Sequence, residues 1–157
     1  MAAGFTHNLI LDYDGNIWAW GMNQLGQLGV GMDFNFDGYI NTANETLIHP
    51  VLVNTDGRMD NNRIVYITAG INTSFAIDEY GNLWGWGANT FGNIVDGAGG
   101  QSHCTPVLIN TNGRMNNHRI KSIAVYHSTT IALDEYGLIW VWGHLFWSFG
   151  SGFGVHS

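Results

Sequence analysis

The chain has 157 residues, the length of one domain, and only 11% of them are charged, with 22 Gly and 7 Trp. Such a composition excludes a disordered segment, a coiled coil and a collagen-like strand, which are respectively aromatic-poor, rich in Ala, Glu, Lys and Leu, or Pro-rich in strict triplets. Five Lys and Arg against twelve Asp and Glu leave a net charge of −7, so there is no basic stripe to displace counterions from phosphates and no polybasic membrane patch.

Taken in chain order, the first apolar run, Leu9-Ile10-Leu11, closes on Asp12-Tyr13-Asp14-Gly15 and leads into Trp18-Ala19-Trp20-Gly21. Two β-prone runs around an Asp/Gly turn predict a hairpin. Pro50-Val51-Leu52-Val53 follows as a further strand, with Pro at its first residue, where a missing N–H does least harm. Ile64–Ala69 is another β-rich run. The cycle then repeats: Phe75-Ala76-Ile77, Asp78-Glu79-Tyr80-Gly81, Trp84-Gly85-Trp86-Gly87 and Pro106-Val107-Leu108-Ile109. A third pass brings Ile120–Val125, Ile131-Ala132-Leu133, Asp134-Glu135-Tyr136-Gly137 and Trp140-Val141-Trp142-Gly143. Trp18, Trp84 and Trp140 are 66 and then 56 residues apart, and the Asp/Gly turns keep the same offsets. Gly31 to Pro50 is 19 positions where Gly97 to Pro106 is 9, so the first unit carries a ten-residue insertion, which reads as a surface loop.

No segment shows a helical period over ten or more residues. Repeated units of about four short strands, rich in Gly and Trp, predict an all-β fold, a partial β-propeller of four-stranded blades. Trp18, Trp20, Trp84, Trp86, Trp140 and Trp142 are then core residues that fill the gap between blades, and Gly21, Gly87 and Gly143 permit tight backbone approach. The repeats occupy 1–143, in units of about 1–66, 67–122 and an incomplete 123–143, and 144–157 is a divergent tail.

These units resemble regulator-of-chromosome-condensation repeats. The first matches nearly throughout, with Ala3-Gly4-Phe5-Thr6-His7, Asp14-Gly15, Trp18-Ala19-Trp20-Gly21, Asn23, Gly26-Gln27-Leu28-Gly29 and Pro50-Val51. The second keeps Ala69-Gly70, Asp78, Gly81, Trp86-Gly87, Asn89 and Gly92 but has Asn93-Ile94-Val95 in place of Gln-Leu-Gly; the third keeps Asp134, Gly137 and Trp142-Gly143. The pattern's His stands only at His7, with Thr73 and Thr129 in the other two copies. The resemblance implies a seven-bladed propeller, of which this chain supplies a fragment. It also implies that partners vary: one relative acts as a guanine-nucleotide exchange factor for a small GTPase on chromatin, another inhibits β-lactamases through its propeller face.

The insertion carries the most specific chemical signal. Asp33, Asn35, Asp37, Tyr39 and Asn41, with Gly38 at the bend, fit the first nine positions of a calcium loop, whose oxygens converge on one hard cation. Asn44 stands where the bidentate acid belongs and Glu45 follows one place late. A polar Asp/Asn/Gly turn is the alternative. The seven His show no ligand spacing, and His7 reads as a hydrogen-bonded structural residue. Trp147 lies outside the pattern, and Arg58 and Arg114 belong to repeated loops as scaffold. Cys104 is the single cysteine and cannot form an intramolecular disulfide.

No nucleophile elbow, phosphate loop or dinucleotide fingerprint is present, so no catalytic residue is expected. The leading expectation is a non-enzymatic scaffold for protein–protein interaction, with no required cofactor, no direct nucleic-acid contact and no membrane span. It pairs with further repeats or with copies of itself. Two alternatives are a secreted or cell-surface bacterial adhesion module with a calcium loop, and an exchange factor. Low Lys content with abundant Asn, Thr, Gly and Trp leans towards the secreted or surface setting, as part of a longer chain.

Overall fold

A computed structural model describes residues 1–31, 46–53, 59, 62–94, 100–109, 115 and 117–144. The described residues form eleven strands. They are β1 (Ala2–Ala3), β2 (His7–Leu11), β3 (Ile17–Met22), β4 (Thr46–Leu52), β5 (Ile64–Ala69), β6 (Thr73–Asp78), β7 (Leu83–Gly87), β8 (His103–Leu108), β9 (Ile120–Tyr126), β10 (Thr129–Asp134) and β11 (Ile139–Gly143). They make three antiparallel meanders, β1-β2-β3-β4, β5-β6-β7-β8 and β9-β10-β11. The expected hairpins are all present, and their registers repeat: Leu9 faces Ala19, Phe75 faces Gly85, and Ile131 faces Val141.

The strand expected to begin at Pro50 begins earlier. β4 starts at Thr46 and β8 at His103, so Pro50 and Pro106 lie inside their strands. The ladder explains why this is tolerated. Both are outer strands, and each register slips opposite the Trp-x-Trp-Gly segment, between Ala19 and Gly21 and between Gly85 and Gly87. A proline at such an irregularity on an edge strand removes no ladder hydrogen bond. The glycine after each second Trp is required there. Gly87 has φ +98° and Gly143 +95°, and a Cβ on either would run into the carbonyl oxygen of Asn72 or Ser128.

The sheets pack in chain order, and the core lies between them. One cluster joins Leu9, Ile17 and Ala19 of the first sheet to Ile67, Ala76, Trp84 and Trp86 of the second. The other joins Phe75, Ile77 and Leu83 of the second to Ile123, Ala132, Trp140 and Trp142 of the third. Alternation along the strands sends successive side chains to opposite faces. The middle sheet is covered on both, so β6 and β7 are buried at every residue. Each sheet thus offers a leading face, which carries the Trp pair, and a trailing face of aliphatic residues or Phe.

Candidate functional site

The residues that recur in register form two kinds of polar hub, and both belong to the scaffold. The first is an aspartate at the end of each hairpin's first strand. Asp78 accepts five hydrogen bonds: Oδ1 from the amides of Tyr80 (3.0 Å) and Asn82 (2.9 Å), and Oδ2 from Trp84 Nε1 (3.1 Å), Asn82 Nδ2 (2.8 Å) and Asn62 Nδ2 (2.8 Å). Asp12 takes four of these, from the amides of Asp14 and Asn16, Asn16 Nδ2 and Trp18 Nε1. At Asp134, Leu138 replaces Asn82 and keeps only the backbone bond to Oδ1, while His118 stands at the position of Asn62 with its Nδ1 2.7 Å from Oδ2. A carboxylate in an Asx turn therefore closes the hairpin and fixes the first Trp of each pair. In Asp134, burial works to raise the carboxyl pKa, but the contacts from His118, Trp140, Leu138 and Tyr136 outweigh it and hold it at about 2. Asp12 is also held at about 2, chiefly by Trp18 and Asn16.

The second hub ties one sheet to the next. The second Trp of a pair reaches back to the preceding unit: Trp86 Nε1 donates to the Gln27 carbonyl at 3.0 Å and Trp142 Nε1 to the Asn93 carbonyl at 2.8 Å. The departure at Asn93-Ile94 therefore costs the motif little. Asn93 Oδ1 accepts from Phe91 N as Gln27 Oε1 accepts from Leu25 N, and Asn89 holds Ile94 N as Asn23 holds Leu28 N. His7 sits in the same seam. Ser74 Oγ donates to the Gln27 carbonyl at 2.7 Å, so His7 Nε2, 2.7 Å from that hydroxyl, carries the proton, and Nδ1 is buried without a partner. Thr73 is shorter than His7, and its hydroxyl is buried and unpartnered, whereas Thr129, at the same position of the third unit, donates to the His144 carbonyl at 2.6 Å. The unpartnered Thr73 hydroxyl is the local cost of the substitution.

Burial lowers the His7 pKa from 6.5 to about 4, because a proton on Nδ1 would be desolvated with no acceptor. The sign follows directly. Between those values the unfolded chain binds a proton that the folded chain refuses, so stability is full above pH 6.5 and falls as pH drops towards 4, by at most about 3 kcal/mol. The two depressed aspartates act in a lower window, their contribution being complete above about 4 and lost towards pH 2. Urea denaturation at pH 7.5, 5.5 and 4.5 is expected to show the first slope, and His7→Gln, which cannot titrate, to flatten it.

The structure brings Trp84, Trp86, Trp140 and Trp142 into the seams, where none is more than 8% exposed. Trp18 and Trp20, on the leading face of the first sheet, are half-buried. Asp33, Asn35, Asp37, Tyr39, Asn41 and Glu45 lie outside the described residues, as do Arg58, Arg114 and Trp147. Among the described residues no group of three or more His, Cys, Asp or Glu is arranged to hold a metal ion. The role of Asp12, Asp78 and Asp134 as indole acceptors was not foreseen. Its signal was the in-register recurrence of an Asp six residues before the first Trp. A small groove of about 270 Å³ runs between Asn16, Ile17, Val53, Arg63, Ile64 and Glu79 at the first seam.

Exposed aromatics gather at the loop ends. Each hairpin tip carries a tyrosine, Tyr13 at 97%, Tyr80 at 53% and Tyr136 at 70% exposure. The tips line one edge: Arg63 Nη2 donates to the Tyr13 carbonyl, and the amides of Arg63 and Arg119 donate to Glu79 and Glu135. Phe5, Phe91 and Tyr126 are exposed beyond the opposite ends of the strands.

The chain belongs to the regulator of chromosome condensation (RCC1) repeat family: two models so described match residues 14–77 and 64–93, together 80 of the 157 residues. Among curated proteins it is 26% identical to the human E3 ubiquitin-protein ligase HERC2 over 160 residues, 99% of this chain and 3% of that protein. It is 27% identical to the Arabidopsis thaliana ultraviolet-B receptor UVR8 over 144 residues, 91% of this chain and 28% of that protein. Its fold matches human WBSCR16 with a TM-score of 0.70 at 19% identity, over 90% of this chain and 32% of that one. A chain in the crystal structure of Kap60 bound to yeast RCC1 (Prp20) gives 0.68 at 25% identity, over 91% and 31%. The described sheets are therefore blades of a β-propeller, and the chain spans about a third of the solved chains it matches. No helix among the described residues is long and apolar enough to cross a membrane.

Proposed function

We propose that the chain is a non-enzymatic propeller module whose loop ends recognise a protein partner. The observation that carries this reading is the division of labour among its residues. The polar groups shared by the repeats are spent inside the scaffold, on indoles, amides and carbonyls, whereas an exposed tyrosine stands at each of the three hairpin tips. Tyrosine supplies large contact area at small entropic cost and is enriched at binding hot spots. The relatives' names, a ligase, a receptor and a yeast protein bound to Kap60, are consistent with one scaffold serving several partners.

The test is a chain in which Tyr13, Tyr80 and Tyr136 are all changed to Ala. Crosslinking capture with the unaltered chain identifies a partner, and the triple variant is expected to lose it while keeping its unfolding midpoint within a few degrees. Retention of that partner at full strength contradicts the reading. Exchange-factor activity is tested separately, and no acceleration of nucleotide release from small GTPases is expected. Calcium binding through Asp33–Asn41 and Glu45 remains a proposal on sequence grounds. Calorimetric titration with Ca²⁺ is expected to give heat that Asp33→Ala with Asp37→Ala abolishes, and no heat from the unaltered chain refutes it.

A further inference from the structure

The groove at the first seam departs from the chain's own repeat in three respects. Asp14 stands where the next unit has Tyr80, and Asn62 where it has His118, so two smaller side chains border it. At the second seam Ile120 N donates to the Gly81 carbonyl at 2.8 Å, whereas among the described residues no backbone bond joins Ile64 to Gly15. The floor of the groove is apolar, formed by Ile17, Val53 and Met59, none more than 4% exposed. Its rim is polar, with the Gly15 backbone and two exposed acids, Asp14 from the first sheet and Glu79 from the second. The rim holds one cation, Arg63, whose amide donates to Glu79 Oε1 and whose Nη2 donates to the Tyr13 carbonyl at 3.4 Å.

An apolar floor under an acidic rim suits a side chain with an apolar stem and a cationic head. Long basic side chains lay their stems on apolar surface and keep the charge in polar surroundings. A guanidinium presents its donors in one plane, so a carbonyl and carboxylates can accept from it together. Two carboxylates against one guanidinium leave the rim negative, on a chain whose net charge is −7. A volume of about 270 Å³ admits one such side chain and no secondary-structure element. The exposed rings of Tyr13 and Tyr80 adjoin Asp14 and Glu79 in sequence, and aromatic faces attract cations. We propose, building on the reading that the hairpin tips recognise a protein, that this groove is their specificity pocket and takes an arginine side chain of the partner. The stem lies over Ile17, Val53 and Met59, and the guanidinium reaches Asp14, Glu79 and the Gly15 carbonyl. The second seam, with Tyr80 and His118 in the corresponding places and its Gly81 carbonyl already bonded, takes none.

Titration of the isotope-labelled chain with the peptide acetyl-Gly-Ser-Arg-Ser-Gly-amide, followed by nuclear magnetic resonance, reads the result. Saturable shifts are expected at the amides of Gly15, Asn16 and Ile64 and not at those of Gly81, Asn82 and Ile120. The same peptide with citrulline, which is neutral and of nearly the same shape, is expected to bind more weakly by about tenfold or more. The arginine peptide is expected to lose as much on the variant Asp14→Asn with Glu79→Gln, which keeps the size of both side chains. An unchanged urea midpoint shows that this variant folds, and Asp14→Tyr, which installs the next unit's residue, replaces it if it does not. No saturable shift, equal binding of the citrulline peptide, equal shifts at both seams or full binding by the folded variant overturns the proposal. The tyrosine reading fails separately. If the crosslinked partner is lost from the tyrosine variant while no arginine peptide enters the groove, that reading stands and the pocket is refuted.

Discussion

Trp86→Ala is expected to destabilise the chain by about 4 kcal/mol, and Trp20→Ala, at the same position of the preceding unit, by no more than about 2 kcal/mol. The motif is identical, and the surroundings decide the difference. Trp86 is fully buried between the first two sheets and its indole donates to the Gln27 carbonyl. Truncation there opens a cavity in a seam and leaves the Gln27 carbonyl with the Ser74 hydroxyl alone as donor. Trp20 is half-buried, so its removal forfeits less contact. Urea denaturation at protein concentrations where the chain is monomeric gives both values. Equal losses would mean that the seam between sheets does not set the worth of these rings.

Asp78→Asn is expected to cost about 3 kcal/mol, although it changes neither size nor shape. The two amides bonded to Oδ1 can keep an acceptor in the variant. Oδ2, however, accepts from three donors, Trp84 Nε1, Asn82 Nδ2 and Asn62 Nδ2, and an amide nitrogen there would point its own hydrogens at them. Flipping the side chain moves the conflict onto the two backbone amides. Charge-assisted bonds are each stronger than neutral ones, and buried donors left without acceptors are expensive. The midpoint of urea denaturation measures the loss. A variant as stable as the parent would show that the carboxylate is not what holds the hairpin and its indole.

Much of this architecture was legible because the repeats supplied their own controls. Trp-x-Trp-Gly at constant spacing from an Asp/Gly turn fixed the hairpins, and three copies ruled out chance. What a single unit could not reveal was the far partner of each group. Trp86 and Trp20 are the same letter in the same motif, and only the presence of a sheet against one of them separates their environments. Likewise Asn62 and His118 hold similar places beside Asp78 and Asp134 but share no chemistry that a pattern would match, beyond an N–H aimed at a carboxylate. Pro50 was misplaced because its missing N–H suggested a strand end, whereas the register slip on an outer strand accommodates it inside β4. Of the candidate sites, Trp84, Trp86, Trp140 and Trp142 lie in the seams, Trp18 and Trp20 are half-buried, and the calcium residues lie outside the described residues.

Hydrogen exchange at the indole N–H groups, followed by nuclear magnetic resonance, asks most directly whether tryptophans bonded across the seams join these sheets. Trp86 and Trp142, bonded to carbonyls of the neighbouring unit, are expected to exchange only on unfolding, many orders of magnitude more slowly than free indole. Exchange of Trp86 at the rate of a solvent-exposed indole under native conditions would contradict the account.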